Sequence, residues 1–302
     1  MFAVKPEFWL SEHAMTSATP TPNRRKRKFS RRLKSSIRSL IRIEDLSNRV
    51  ADLETSIGQV SSGQVTSLLQ MKGLLPPIPP RHLQVRVAGA HYAEFFQHGT
   101  EMLGDFDRIL TSEGRKVLDF KNILDFGCGC GRFLIPISLL GHAARFSGTD
   151  IDPEAIEWLK LNYSGFKDLD VNSAAPPTKY ADGTFDFVFS VSIFTHLPED
   201  MQHGWLKELS RIMQPGGYGI FTTHGPNFFH HIRKNKDAQV RLLREGFYYD
   251  VRGQTDGLPE FYQTSFHTHE YIRREWSKYF EVISIHEKGI ARDQDGVLVR
   301  KR

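Results

Sequence analysis

Cysteine is scarce in this chain of 302 residues, and long apolar runs are missing. Cys128 and Cys130 are separated by one residue, which is too close for ordinary disulfide geometry, and two cysteines are too few for a structural zinc site. No stretch approaches the ~18 consecutive apolar residues of a membrane-spanning helix, and the first residues do not read as a secretory signal. We therefore expect a cytoplasmic protein without disulfide, structural zinc or transmembrane segment.

Acidic residues are scarce at the amino-terminal end. Residues 1–42 contain eleven Lys and Arg but only two Glu, so the net charge of +5 arises in this arm and the other 260 residues carry about −4. Such a composition cannot bury enough apolar surface to fold alone, which predicts a basic, disordered arm. The alternatives are weak contact of residues 24–42 with anionic lipid or nucleic acid, and an organellar transit sequence.

A heptad pattern follows the arm. Its apolar positions, spaced alternately three and four residues apart, are Ile43, Leu46, Val50, Leu53, Ile57 and Val60. The pattern predicts a helical or coiled-coil segment over residues 43–72 and a homo-oligomer formed through residues 43–60. The seam is shorter than three heptads, so a single amphipathic helix packed on its own domain is the alternative. The prolines at 76–80 end any helix, and we place the compact domain at residues 75–302.

Strand-like apolar runs alternate with helical periods in this domain, which predicts an α/β fold with parallel strands. The predicted strands cover residues 122–126, 144–149, 185–191 and 218–223, with two more near residues 281–287 and 296–301. The predicted helices cover residues 132–141, 153–161, 201–212 and 271–280. A polar insertion rich in histidine and aromatic residues runs to about residue 265.

A glycine loop follows the first predicted strand and reads Asp125-Phe-Gly127-Cys-Gly129-Cys-Gly131. Glycines allow backbone amides to approach a ligand at the place where open α/β sheets bind ligands. The spacing differs from the dinucleotide pattern, and the carboxylate of Asp125 would repel a pyrophosphate but suit an ammonium group. Asp150 ends the second strand, from which an acidic side chain accepts hydrogen bonds from ribose hydroxyls. The sequence therefore predicts a pocket for an amino group and a ribose.

Four segments in order resemble the class I S-adenosylmethionine-dependent methyltransferases: ILDFGCGCGRF, GTDIDPEAIEWL, YADGTFDFVFSVSIFTHLPED and LKELSRIMQPGGYGIFTTHG. The resemblance covers residues 115–223 and weakens on either side. It implies a Rossmann-like mixed sheet of seven strands with helices on both faces, S-adenosylmethionine as the cofactor, and methyl transfer as the activity.

The resemblance also implies roles for individual residues. Asp125 and Gly127 would hold the methionine amino end, while Gly129 and Gly131 would shape the loop. Asp150 would bind the ribose. The remaining predicted cofactor contacts are Ile151 against adenine, Asn172 at the adenine amino group, and Ser190 beside the methionine moiety.

Histidine supplies the candidate catalytic base. His196 follows the fourth strand near the mouth of the cofactor pocket, and an imidazole can take a proton from an acceptor hydroxyl at neutral pH. His224, after the fifth strand, is the second candidate. Asp152 is interpreted as a helix cap, and His230, His231, His267 and His269 as solvated loop residues rather than metal ligands.

The sequence excludes some classes of methyl acceptor but does not identify one. The segment after the fourth strand lacks the Asn/Asp-Pro-Pro-aromatic signature of base amine methylation, and both cysteines lie inside the glycine loop rather than in a nucleophile position. We therefore favour O-methylation of a small-molecule, sugar or lipid-linked acceptor. The rival hypotheses are an NAD-dependent oxidoreductase and a non-catalytic binding or scaffold protein of the same fold.

Overall fold

The computed structural model describes residues 71–90, 95–140, 144–166, 168–253 and 258–302, together with Gln64 and Ser67. The basic arm and nearly all of the predicted coiled-coil segment lie outside these residues. The α-helices are α1 Arg81–Ala88, α2 Phe95–Leu110, α3 Leu134–Leu140, α4 Pro153–Asn162, α5 Glu199–Ile212, α6 Lys236–Glu245 and α7 His269–Glu275. The strands are β1 Asn122–Phe126, β2 Arg145–Asp150, β3 Asp168–Val171, β4 Phe185–Ser190, β5 Met213–Thr223, β6 Phe247–Asp250, β7 Thr264–His267, β8 Glu281–Ile290 and β9 Gln294–Arg300. Short 3₁₀ helices cover Thr111–Glu113, Val117–Asp119, Pro226–Ile232 and Trp276–Lys278.

The predicted α/β fold is confirmed. Seven strands form one mixed sheet in the order β3-β2-β1-β4-β5-β9-β8. The first five are parallel to one another, and β9 pairs antiparallel with both β5 and β8. The strands follow one another toward one edge of the sheet from β1 to β3 and toward the other edge from β4 to β5, so the order reverses between β1 and β4. A crevice at such a switch point, beyond the carboxyl ends of the strands, is where open α/β sheets bind ligands.

Two apolar layers cover the sheet. One buries α2, α3 and α4 against residues such as Ile123 and Phe187, and the other buries α5 and α7 against residues such as Leu124 and Val188. Central strands covered on both faces read as continuous apolar runs, which is why FDFVFS identified β4 from sequence. None of the helices in the described part of the chain is long and apolar enough to cross a membrane.

Most predicted element boundaries agree with the structure. Asp152 caps α4 as expected, accepting hydrogen bonds from the amides of Glu154 at 3.0 Å and Ala155 at 3.3 Å. The helix predicted over residues 132–141 begins later, at Leu134, because the chain turns through the glycine loop first. Conversely, β5 begins earlier than predicted, at Met213, and contains the Pro-Gly-Gly turn residues.

The insertion between β5 and α7 has a small core of its own. Ile232, Ala238, Leu242 and Phe266 pack together, and β6 pairs with β7. Strand β7 is tied to the loops that follow β4 and β5: the amide of Ser265 donates to the Thr195 carbonyl at 2.8 Å, and the amide of His267 donates to the His224 carbonyl at 2.9 Å. The insertion thus lies over the carboxyl edge of the main sheet.

Candidate active site

The glycine loop connects β1 to α3 at the carboxyl edge of the sheet. Gly127 and Gly129 have positive φ angles of 88° and 50°, which disfavour a side chain. A Cβ on Gly127 would lie 2.4 Å from Ile193 Cδ1, and one on Gly129 would lie 2.4 Å from Val87 Cγ2 of α1. The loop therefore requires glycine at both positions, and it lies between two aliphatic side chains that form apolar walls.

Asp125 is the last-but-one residue of β1 and is fully buried. Neither of its carboxylate oxygens has a hydrogen-bond partner within the described residues. Burial, followed by the negative charge of Asp150, raises the pKa of Asp125 well above its usual range, whereas Arg132 acts in the opposite direction. A buried carboxyl group left this way fits a cationic ligand such as an ammonium group, which would supply the missing charge and donors.

Asp150 ends β2 and is oriented by the loops beside it. Its carboxylate accepts hydrogen bonds from the amide of Gly129 at 2.7 Å and the amide of Asp152 at 2.8 Å. Burial raises the pKa of Asp150 to about 6, even though these backbone hydrogen bonds lower it. The carboxylate is therefore ionised at neutral pH and can still accept further hydrogen bonds, as a ribose diol would require.

Asn172 lies beside Asp150, because its amide donates to the Asp150 carbonyl at 3.0 Å. The side-chain oxygen accepts from Thr149 Oγ1 at 2.8 Å, and the side-chain nitrogen donates to the Ser173 carbonyl at 2.9 Å. The oxygen can accept one more hydrogen bond, so a contact with an adenine amino group stays a prediction. Ile151, half-buried, follows Asp150 directly.

Several buried hydroxyl groups lie at the same edge. Ser190 ends β4, Thr223 ends β5, and Thr195 lies in the loop after β4; all three are fully buried. Their hydroxyl oxygens have no hydrogen-bond partner among the residues that the structure describes. Because buried polar groups are rarely left unpaired, these hydroxyls mark a polar site that a ligand or ordered water would complete.

His196 lies in the loop between β4 and α5. Its Nδ1 donates a hydrogen bond to the carbonyl of Gln263, and its ring stacks on Tyr262 with ring centres 4.4 Å apart. Because a carbonyl only accepts, this contact assigns the proton of the neutral ring to Nδ1 and leaves the Nε2 lone pair for a ligand. Burial lowers the pKa of His196, which keeps the ring neutral at pH 7.

His224 lies next to His196, with ring centres 6.0 Å apart, and stacks on Phe228. Its Nδ1 is buried with no hydrogen-bond partner in the described part of the chain. Burial, together with the nearby His196, lowers the pKa of His224 to about 3. The structure therefore brings the two predicted candidate bases together under the insertion, both in the neutral form.

Some site residues carry no signal in the sequence. Ser192 follows β4 with a left-handed φ of 62°, which is uncommon outside glycine. Three contacts hold it: its amide donates to Thr222 Oγ1 at 2.8 Å, Tyr262 donates to its carbonyl at 2.6 Å, and Gln294 donates to its hydroxyl at 2.8 Å. Backbone strain held this firmly is typical of functional sites.

Two histidines predicted to be solvated are not: His267 is buried and His269 is half-buried. His267 is fully buried in β7, and its Nε2 contacts Gln202 Oε1 at 2.9 Å. His269, the first residue of α7, lies with its Nε2 2.6 Å from Oδ2 of the buried Asp295. The sequence prediction is wrong for both, because the pairing of β7 and the start of β9 depend on segments that are distant in the sequence. Within the described ranges, no cluster of His, Cys, Asp and Glu suited to a metal occurs.

The His269–Asp295 contact predicts a pH dependence of stability. The hydrogen bond with Asp295 raises the pKa of His269, so its stabilising effect is complete below the unfolded pKa near 6.5 and is lost as pH rises through the higher folded value. Replacing His269 with glutamine should lower the free energy of unfolding by about 1 kcal/mol at pH 6 and by less at pH 8. Urea unfolding at both pH values measures the difference, with the exposed His230→Gln as control. An equal loss at both pH values would contradict the assignment.

Comparisons with known proteins agree on the kind of domain. A family described as a methyltransferase domain matches residues 123–217. The chain is 25% identical over 185 residues to a tRNA N(3)-methylcytidine methyltransferase of Schizosaccharomyces pombe, covering 59% of this chain and 58% of that protein. It is 30% identical over 139 residues to a malonyl-[acyl-carrier protein] O-methyltransferase of Legionella pneumophila, covering 46% and 48%. The chain spans about half the length of the curated relatives it matches.

Among solved structures, the fold is similar to magnesium protoporphyrin IX methyltransferase from Synechocystis with bound S-adenosylhomocysteine. The TM-score is 0.48 at 16% identity, covering 73% of this chain and 93% of that one. A methyltransferase from Methanosarcina mazei gives a TM-score of 0.46 at 20% identity, covering 60% and 92%.

Proposed function

We propose that the chain, whose residues 123–217 match a methyltransferase domain, is a class I, Rossmann-like S-adenosylmethionine-dependent methyltransferase that methylates an oxygen of a small-molecule, sugar or lipid-linked acceptor. The cofactor part of the proposal rests on the buried carboxyl group of Asp125, which has no hydrogen-bond partner among the described residues. Beside it lies the carboxylate of Asp150, which is placed to accept hydrogen bonds from a ribose. This pair matches the ammonium group and the diol at the two ends of the cofactor's polar surface.

The residues at the carboxyl edge would each contact a different part of the cofactor. Asp125 would hold the methionine ammonium group and Ser190 would lie beside the methionine chain. Asp150 would accept hydrogen bonds from the ribose hydroxyls, with Asn172 and Ile151 at the adenine. Gly127, Gly129 and Gly131 keep the loop backbone close to the ligand. When bound, the cofactor supplies an electrophilic methyl group on a sulfonium.

His196 is proposed as the base that takes the acceptor proton. Its Nδ1 proton is held by the Gln263 carbonyl, so Nε2 can accept a proton as the new oxygen–carbon bond forms. The neighbouring His224 is the second candidate base, and its lowered pKa makes it the weaker one. Positioning of acceptor and methyl group would supply much of the remaining acceleration.

A second candidate function is methylation of an RNA base. Two matched relatives, from Schizosaccharomyces pombe and Saccharomyces cerevisiae, are tRNA cytosine N(3)-methyltransferases. Against this, residues 192–196 read Ser-Ile-Phe-Thr-His and lack the proline–aromatic signature of base amine methylation. O-methyltransferases acting on acyl-carrier and fatty-acid substrates are also among the relatives, which supports the first proposal.

Replacing Asp150 with alanine tests the cofactor site. We expect the affinity for S-adenosylhomocysteine to fall by about 1.5–3 kcal/mol, because a charged acceptor facing two hydroxyls is lost. Calorimetric titration measures it, with Asp168→Ala on β3 as control. The wild-type affinity should also fall as pH drops through about 6, where Asp150 gains a proton. Unchanged affinity in the variant would remove the cofactor assignment, and tighter binding of NAD would favour an oxidoreductase.

Radiolabelled methyl transfer to separate pools of hydroxylated metabolites, lipids and transcribed tRNA would test the acceptor class. Label in the first two pools supports O-methylation, and label in tRNA alone supports the second candidate. If S-adenosylhomocysteine binds but no pool is labelled, a non-catalytic binding protein is favoured.

A further inference from the structure

Helix α6 of the insertion has apolar side chains on its solvent side. Ala238 and Leu242 point into the insertion's small core, whereas Val240 is 60% exposed and Leu243 is 86% exposed. Helical spacing places Lys236 and Arg244 on the same side, each four residues from Val240. We call Lys236, Val240, Leu243 and Arg244 the outer face of α6: two aliphatic side chains between two cations.

The segment that carries this face is rich in positive charge. Arg233 and Lys234 precede α6, and Arg252 follows β6 next to Val251, which is 68% exposed. Residues 230–252 contain six Lys and Arg against three carboxylates. Two of these carboxylates are engaged by arginines of the same segment, as in the Arg252–Asp250 pair, whereas no carboxylate partner is found for Arg233, Lys234 or Lys236 within the described residues.

We propose that the outer face of α6 docks on an anionic lipid bilayer. The aliphatic side chains of Val240 and Leu243 would enter the boundary between headgroups and acyl chains, and the surrounding cations would contact lipid phosphates. Charge complementarity selects this occupant. Residues 230–252 carry a net charge of +3, whereas the chain beyond residue 42 carries about −4 in total, so the attraction is local to this part of the insertion.

Other occupants fit less well. A nucleic acid would satisfy the cations through its phosphates but would leave the two aliphatic side chains without an apolar partner. A second copy of the chain, paired about a twofold axis, would bring one cationic face against another, which is repulsive. A lipid surface satisfies both the apolar and the charged groups of the outer face.

Docking at α6 would bring the candidate active site close to the membrane. Strand β7, which packs on α6 through Phe266, is hydrogen-bonded to the loops that carry Thr195 and His224. The bilayer would then lie on the side of the insertion away from the sheet. The docking itself does not depend on methyl transfer, so vesicle binding can be measured before the methyl acceptor is known.

The test uses the full chain with vesicles of phosphatidylcholine and phosphatidylglycerol in equal parts, and with phosphatidylcholine alone. We expect the double variant Val240→Ser/Leu243→Ser to bind the anionic vesicles about tenfold more weakly than the wild type, because two inserted aliphatic side chains are lost. Leu161→Ser, which removes an aliphatic side chain 78% exposed on α4, is the matched control and should bind as the wild type does.

Hydrogen exchange gives a local measurement, which separates α6 from the basic arm. Bound to anionic vesicles, the wild type should show slower exchange at the amides of residues 236–251 and no such change with phosphatidylcholine alone. Unchanged exchange there, or equal vesicle binding by the double variant, would overturn the proposal. Slower exchange caused by transcribed tRNA but not by vesicles would overturn it in favour of a nucleic-acid surface.

Discussion

Replacing His196 with alanine is expected to lower kcat by roughly 10²–10⁴, the usual contribution of a positioned general base. A neutral hydroxyl is a poor nucleophile at pH 7, and the Nε2 atom of His196 is the proton acceptor that the Gln263 contact leaves available. The affinity for S-adenosylhomocysteine should change by less than about twofold, because the imidazole is proposed to act on the acceptor and not on the cofactor.

Methyl transfer from radiolabelled cofactor to the identified acceptor measures the loss. His203→Ala is the matched control, since that histidine lies on α5 and contacts Tyr279 rather than the candidate site. His224→Ala should have a smaller effect than His196→Ala. Near-normal turnover in the His196 variant, with a large loss in the His224 variant, would transfer the role of base to His224.

Tyr262 contacts both His196 and Ser192. It stacks on the His196 ring and its hydroxyl donates a hydrogen bond to the Ser192 carbonyl, so it holds both residues in position. Tyr262 thus acts through other residues as a positioning residue. Its identity could not be read from the sequence, because the contact joins Ser192 to a residue 70 positions later.

The placement of the proposed cofactor residues could be predicted because these residues are close in sequence. A strand followed by glycines at alternate positions brings Asp125 and the loop together locally, and Asp150 ends the next parallel strand. The backbone conformations at Gly127 and Gly129 require the residue type seen in the sequence. The residue types in the sequence and the backbone geometry of the structure therefore agree for this loop.

The contacts around the proposed acceptor site could not be predicted in the same way. Gln294 reaches Ser192 across 102 residues, and Asp295 reaches His269 only because β9 starts beside the insertion. Ser192 adopts a left-handed backbone without being glycine, so no sequence signal marks the turn. The burial of His267 cannot be predicted from the sequence, because it depends on the pairing of β7, which neither spacing nor hydropathy reveals.

Replacing Asp125 with asparagine is expected to move stability and cofactor affinity in opposite directions. Burial raises the pKa of Asp125, so its unfavourable effect is absent below the unfolded pKa near 3.9 and grows as pH rises toward the folded value. The neutral amide avoids this penalty, and the ligand-free variant should be about 2 kcal/mol more stable than the wild type near pH 7, with a smaller gain at pH 5.

The same substitution should weaken S-adenosylmethionine binding about tenfold or more, because an amide cannot neutralise the ammonium group of the ligand. In the wild type, binding requires the ionised carboxylate, so the affinity should rise with pH until Asp125 is fully ionised. Urea unfolding and calorimetric titration of the two proteins at pH 5 and pH 7 measure both effects. Asp186→Asn is the matched control: its carboxylate accepts from the backbone amides of Lys121 and Asn122, so we expect that variant to be less stable. A less stable Asp125→Asn protein with unchanged affinity would mean that the carboxyl group serves the fold and not the ligand.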